Sequence, residues 1–93
     1  MEQKRTVEAL KALADEVRIG IVRKLAASSE PVAGCDIVSS CANLHKLSQP
    51  AVSHHFGKLV DASVVREEKR GTQKVYSLDA AFLDSIGVDV TKL

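Results

Sequence analysis

The sequence predicts a mainly α-helical fold completed by a small β-hairpin. Three observations lead there. Apolar residues recur at helical spacing in the N-terminal third of the chain. Ser48 and Pro50 together mark the start of a further amphipathic helix. One is a hydroxyl that can accept from a free amide, and the other is a proline where no amide is needed. Two short β-branched segments then flank a basic turn built on Gly71.

Val7, Leu10, Leu13, Ala14 and Val17 fall at helical spacing, so a first helix is expected over about residues 3–14. Asp15 suits the N-cap of a second helix over about residues 16–27. Val17, Ile19, Ile21, Val22, Leu25 and Ala26 cover most of its circumference, which places it centrally. Ser28, Ser29, Glu30 and Pro31 form a loop. A short third helix is expected from Val32 or Gly34 to Ser40, followed by an extended turn over residues 41–46. From Ser48 a fourth helix runs to about Ala62. Val52, Phe56, Leu59 and Val60 form its buried stripe, His54, Lys58 and Asp61 point the other way, and Gln49 and Ser53 lie on the flank near its start.

Residues 63–68 and 73–78 read as strands joined by Arg70, Gly71 and Thr72, with Gly71 free to take positive φ. A strand pair of this size must pack on the helices. Residues 80–86 make a last short helix carrying Phe82, Leu83 and Ile86, and residues 88–93 read as a frayed end.

At 93 residues the chain reads as a single winged domain with a modest core. Aromatic residues make up only 3 %, which argues against stacking on single-stranded bases. The net charge is +1, yet it is unevenly placed. Residues 45–74 hold six Lys/Arg against three acids, a net +3, while the rest holds seven against nine, a net −2. No apolar run reaches membrane-span length, and the N-terminus is amphipathic rather than signal-like. Cys35 and Cys41 do not make a secreted disulfide framework, so a reducing cytoplasm is the expected compartment. No Ser-His-Asp order, phosphate loop or zinc-hydrolase motif is present, so no enzyme is expected.

Helix, short helix, turn, capped helix, hairpin is the order of a winged helix-turn-helix, whose recognition helix lays its N-terminal side chains on base edges in the major groove. Gln49 can pair bidentately with adenine, Ser53 can donate or accept, and His54 can reach a base or a phosphate. Ser48 stands at the helix N-terminus, where a phosphate is favoured. Lys58, Lys69, Arg70 and Lys74 are the expected phosphate grips. His55 lies beside the buried stripe, near Leu59, as a packed or phosphate-bonded residue. The expected partner is double-stranded DNA.

The stretches LADEVRIGIVRKL and LSQPAVSHHFGKLVDASVVREEKRGTQKVYSL resemble the ArsR/SmtB family of bacterial winged-helix repressors over about residues 10–78. The recognition-helix pattern is Ser48, Gln49, Pro50, Val52, Ser53 and His55, and the wing pattern is Arg66, Gly71, Tyr76 and Leu78. The resemblance implies a homodimer that binds a palindromic operator and blocks transcription until an effector releases it. It also implies a dimer interface on the first and last helices, here Val7, Leu10, Leu13, Phe82, Leu83 and Ile86.

The chain departs from the family pattern in four places. Where many family sensors carry Cys-x-Cys, this chain has Ala33, Gly34 and Cys35. Residues 79–93 contain no His for the family's other zinc site. The turn before Leu47 is a few residues longer, and Ser63 stands where the family places Gly. No metal or cofactor is therefore expected, and the effector stays open. Cys41 and His45 are four apart, a metal-pair spacing only if that stretch is helical; otherwise each Cys is a small hydrophobe. A redox role for Cys35 and Cys41 would need accessible thiolates. A competing reading is a winged-helix protein-interaction module without DNA binding, motivated by the low net charge, Glu67 and Glu68 on the wing, and the altered turn.

Overall fold

Helices α1 (Glu2–Leu13) and α2 (Glu16–Ala26) open the fold of the computed structural model, which describes residues 2–93. Then come β1 (Val32–Ala33), α3 (Gly34–Ser40), α4 (Ala42–His45), α5 (Gln49–Asp61), β2 (Val65–Arg70), β3 (Gln73–Leu78), α6 (Ala80–Ser85) and a 3-10 turn (Val90–Lys92). The strands form one antiparallel sheet in the order β1-β3-β2. The fold is mostly helical with a hairpin wing, as the residue pattern leads one to expect.

Side-chain caps set the helix starts. The Asp15 carboxylate accepts from the backbone N–H of Arg18 at 3.0 Å and starts α2. The Ser48 hydroxyl accepts from Ala51 N–H at 3.3 Å and starts α5, with Pro50 in its first turn. Asp79 does the same for α6 through Phe82 N–H at 3.1 Å. Each satisfies an amide that has no partner inside its helix.

The core is aliphatic. Ile21, Val22 and Leu25 of α2 meet Ala9, Ala12 and Leu13 of α1, Ile37 of α3, and Val52, Phe56 and Leu59 of α5. Val64, Val65, Tyr76 and Leu83 close it from the hairpin side. The Phe56 and Tyr76 rings stack with centroids 4.4 Å apart, so an aromatic contact ties α5 to the wing.

Three expectations need correction. Residues 41–46 are not an extended turn, because α4 occupies Ala42–His45. Leu44 is the reason: it is fully buried, and a helical turn brings its N–H and that of His45 back to the Cys41 carbonyl. The third helix begins at Gly34, the later of its two expected starts, because Val32 and Ala33 pair with Tyr76 and Val75 as a third strand. The first wing strand begins at Val65, since Ser63 turns the chain out of α5 with φ of +65°. Residues 88–93 are not frayed. Val88, Val90 and Leu93 pack against the core, Asp89 accepts from Thr91 N–H at 3.0 Å, and Arg23 Nε donates to the Leu93 carbonyl at 2.7 Å. Among the described residues no helix is long and apolar enough to cross a membrane.

Candidate nucleic-acid interface

On α5 the burial pattern separates anchors from outward residues. Val52, Phe56 and Leu59 are buried, while Gln49, Ser53, His54 and Lys58 are exposed. Ser48 is exposed at the cap, beside the exposed Gln49 of the first turn. The structure brings Ser48, Gln49, Ser53 and His54 together on the N-terminal half of one rigid helix. Lys58 stands one turn further on, toward α1 and α2.

His55 behaves differently from its neighbour His54. Its side chain is only 16 % exposed, and its Nδ1 lies 3.7 Å from the Asp15 carboxylate. An Arg18 guanidinium N–H donates to that same Nδ1 at 3.3 Å, and Arg18 Nε donates to the Ala12 carbonyl. His55 therefore fastens α5 to the α1–α2 corner, and its ring faces inward. The reason is its position on the helix, where it shares a flank with Val52 and Leu59. Burial alone would raise the Asp15 carboxyl. The Arg18 backbone N–H, the Arg18 guanidinium, the His55 imidazole and the Val17 N–H outweigh it and hold Asp15 below the ordinary carboxylate value. The sequence reading missed Arg18, whose partner on α5 is 37 residues away.

The wing is a six-residue strand pair in register from Val65↔Leu78 to Arg70↔Gln73. Gly71 takes φ of +63° at its tip. Lys69, Arg70 and Lys74 are all exposed, but their surroundings differ. Arg70 Nε lies 2.6 Å from Glu68, and Lys74 Nζ lies 3.9 Å from Glu67. Arg66 reaches Asp79 at 3.4 Å. Lys69 has no carboxylate partner among the described residues. The Tyr76 hydroxyl donates to Glu67 at 3.0 Å; burial and this carboxylate push it up to about 12.

The residues expected at a dimer interface fall into two groups. Val7 and Leu10 on α1 are the exposed large hydrophobics among the described residues, at 48 % and 49 %. Phe82 and Ile86 are half-buried, with the Arg5 guanidinium 4.7 Å above the Phe82 ring. Leu13 and Leu83 are buried in the chain's own core, at 6 % and 0 % exposed.

The residues present do not fit the family's metal sites. Cys35 is exposed at the start of α3 with Gly34 before it, where a second thiolate would be needed. Cys41 and His45 do flank a helical turn, but the Cys41 thiol leans on the Gly20 carbonyl at 3.9 Å. No group of three His, Cys, Asp or Glu gathers among the described residues.

A family model described as bacterial regulatory protein, arsR family, matches residues 15–67. The chain is 35 % identical over 86 residues to the arsenical resistance operon repressor of Staphylococcus xylosus, covering 92 % of this chain and 77 % of that one. It is 37 % identical over 84 residues to the HTH-type transcriptional regulator Rv2034 of Mycobacterium tuberculosis, covering 90 % and 73 %. Among solved structures, HlyU from Vibrio cholerae matches with a TM-score of 0.71 at 26 % identity over 90 % of this chain and 86 % of that one. An ArsR-like transcriptional regulator from Rhodococcus sp. shares the fold, with a TM-score of 0.73 at 20 % identity over 90 % and 74 %. The chain belongs to the ArsR family of bacterial regulatory proteins, and it is a winged-helix, DNA-binding regulator of transcription.

Proposed function

We propose that this regulator is a cytoplasmic repressor that binds a palindromic operator as a homodimer. One observation carries the reading. The exposed N-terminal half of α5 and the basic hairpin are joined through the Phe56–Tyr76 stack into one rigid reading head. Gln49, Ser53 and His54 are the proposed base readers. Ser48, Lys58 and the wing cations Lys69, Arg70 and Lys74 are the proposed phosphate contacts, and His55 serves by holding α5 in place. Val7 and Leu10 would form the centre of the dimer contact, with Phe82 and Ile86 at its margin. The similarity to an arsenical resistance operon repressor supports repression as the output. The release signal would not act through the family's thiolate or C-terminal metal sites, because the donor sets are incomplete.

A mobility-shift series on operator and random duplexes tests this. Gln49→Ala and Ser53→Ala should each weaken operator binding by roughly 1–3 kcal/mol and leave random-duplex binding nearly unchanged. Absence of any duplex binding at low salt sinks the proposal. The carboxylates on the wing favour one second reading, a protein-interaction module using the same surface. Capture of a protein partner on α5 that duplex DNA cannot displace would select it.

A further inference from the structure

The wing carries four cations, Arg66, Lys69, Arg70 and Lys74, and three of them already face a carboxylate. The strand register shows how these charges are distributed. Side chains alternate across a strand. Glu67 and Lys69 on β2 therefore share a face with Lys74 and Tyr76 on β3, and Arg66, Glu68 and Arg70 share the other with Gln73 and Val75. Each face holds two cations and one carboxylate.

On the first face Lys69 stands directly opposite Lys74. Like charges in that position destabilise a hairpin unless a counter-charge is near. Glu67 supplies it, lying 3.9 Å from Lys74 Nζ while it accepts from the Tyr76 hydroxyl at 3.0 Å. On the second face Glu68 closes on Arg70 at 2.6 Å, and Arg66 turns back to Asp79 at 3.4 Å. Lys69 is the wing cation left uncompensated among the described residues. It also lies on the face from which Tyr76 stacks on Phe56, the side of the sheet where α5 packs.

We infer that Glu67 and Glu68 are affinity-setting residues of the wing. They act as internal counter-ions that weaken the phosphate contacts of Lys74 and Arg70 and leave Lys69 as the strongest of the three. This rests on the DNA-binding reading above. A free cation that meets a phosphate gains from the release of ions condensed on the duplex. A cation that must first surrender a carboxylate exchanges one charge-assisted bond for another and gains less. Both pairs are well exposed, so the exchange remains open to a closely docked phosphate. The three wing cations nearest the tip, equal by composition, are unequal in use.

A double-mutant cycle on the full chain tests this, read as fluorescence anisotropy on one fixed duplex across a salt series. Lys69→Ala should give the largest loss among the wing variants and lower the salt slope by about one. Arg70→Ala should cost less than about twofold in the native background and on the order of fivefold in the Glu68→Gln background. Glu68→Gln should raise affinity more than Glu30→Gln, which removes the same charge from an exposed loop away from the wing. Glu67→Gln should deepen the cost of Lys74→Ala in the same way, since glutamine keeps an acceptor for the Tyr76 hydroxyl and preserves the hairpin. The inference is overturned if Arg70→Ala costs the same in both backgrounds, or if Glu68→Gln gains no more than Glu30→Gln. A native chain that binds no duplex overturns the DNA-binding reading and this inference together; an additive cycle on a chain that binds overturns this inference alone.

Discussion

Ser63 turns the chain from α5 into the wing with φ of +65°, a conformation in which a Cβ crowds the following carbonyl. The turn is well bonded, with Val64 N–H reaching the Leu59 carbonyl at 3.0 Å and Ser63 N–H reaching Val60 at 3.0 Å. The strain is therefore retained because the surrounding bonds over-determine it. Ser63→Gly should stabilise the fold by about 1 kcal/mol, and Ser63→Val should destabilise it. Urea denaturation of the three proteins checks the order. Asp15 makes a second residue-level case. Its carboxyl is held below its ordinary value of 3.8, so its contribution is whole above that pH and disappears as pH falls through the lowered folded value. Asp15→Asn keeps an N-cap acceptor but not the charge. It should show a flatter loss of stability below about pH 4 than the native chain, measured as the denaturation midpoint against pH.

At the scale of elements, α5 and the wing behave as one body because Phe56 and Tyr76 stack between them. Phe56→Ala should cost about 3–5 kcal/mol and loosen both at once. Tyr76→Phe keeps the stack, loses the bond to Glu67, and should cost only about 1 kcal/mol. Circular dichroism melts of both variants distinguish the two effects. This body was largely legible in the sequence. Ser48, Pro50 and the stripe of Val52, Phe56 and Leu59 are local signals, each readable within a few residues. Elements made by distant contacts were not legible. β1 has two residues, too few to show a period, and exists because β3 offers it an edge. α4 has four, and is helical because Leu44 is drawn into the core. His55 read ambiguously because Asp15 and Arg18 lie some forty residues away in sequence. The wing's cations were visible as letters, but which of them a carboxylate already holds depends on strand register.

For the whole molecule, α1 shows one face to the core and another to solvent. Ala9, Ala12 and Leu13 are buried, whereas Val7 and Leu10 stand half exposed with no covering element among the described residues. Exposed apolar residues that lie side by side on one helix suit a second copy of the chain better than water does. Changing Val7 and Leu10 together to Ser should leave the fold intact, because neither side chain fills the core. The same change should shift the chain toward monomer at micromolar concentration, as read by light scattering, and weaken operator binding with it. The most direct test of the reading as a whole is selection of bound sequences from a random duplex library by the native chain and by Gln49→Ala. The expected result is an inverted repeat with half-sites about one helical turn apart, with preference at one base pair per half-site lost in the variant. A library that emerges with no enriched sequence, or one enriched identically by both proteins, would contradict it.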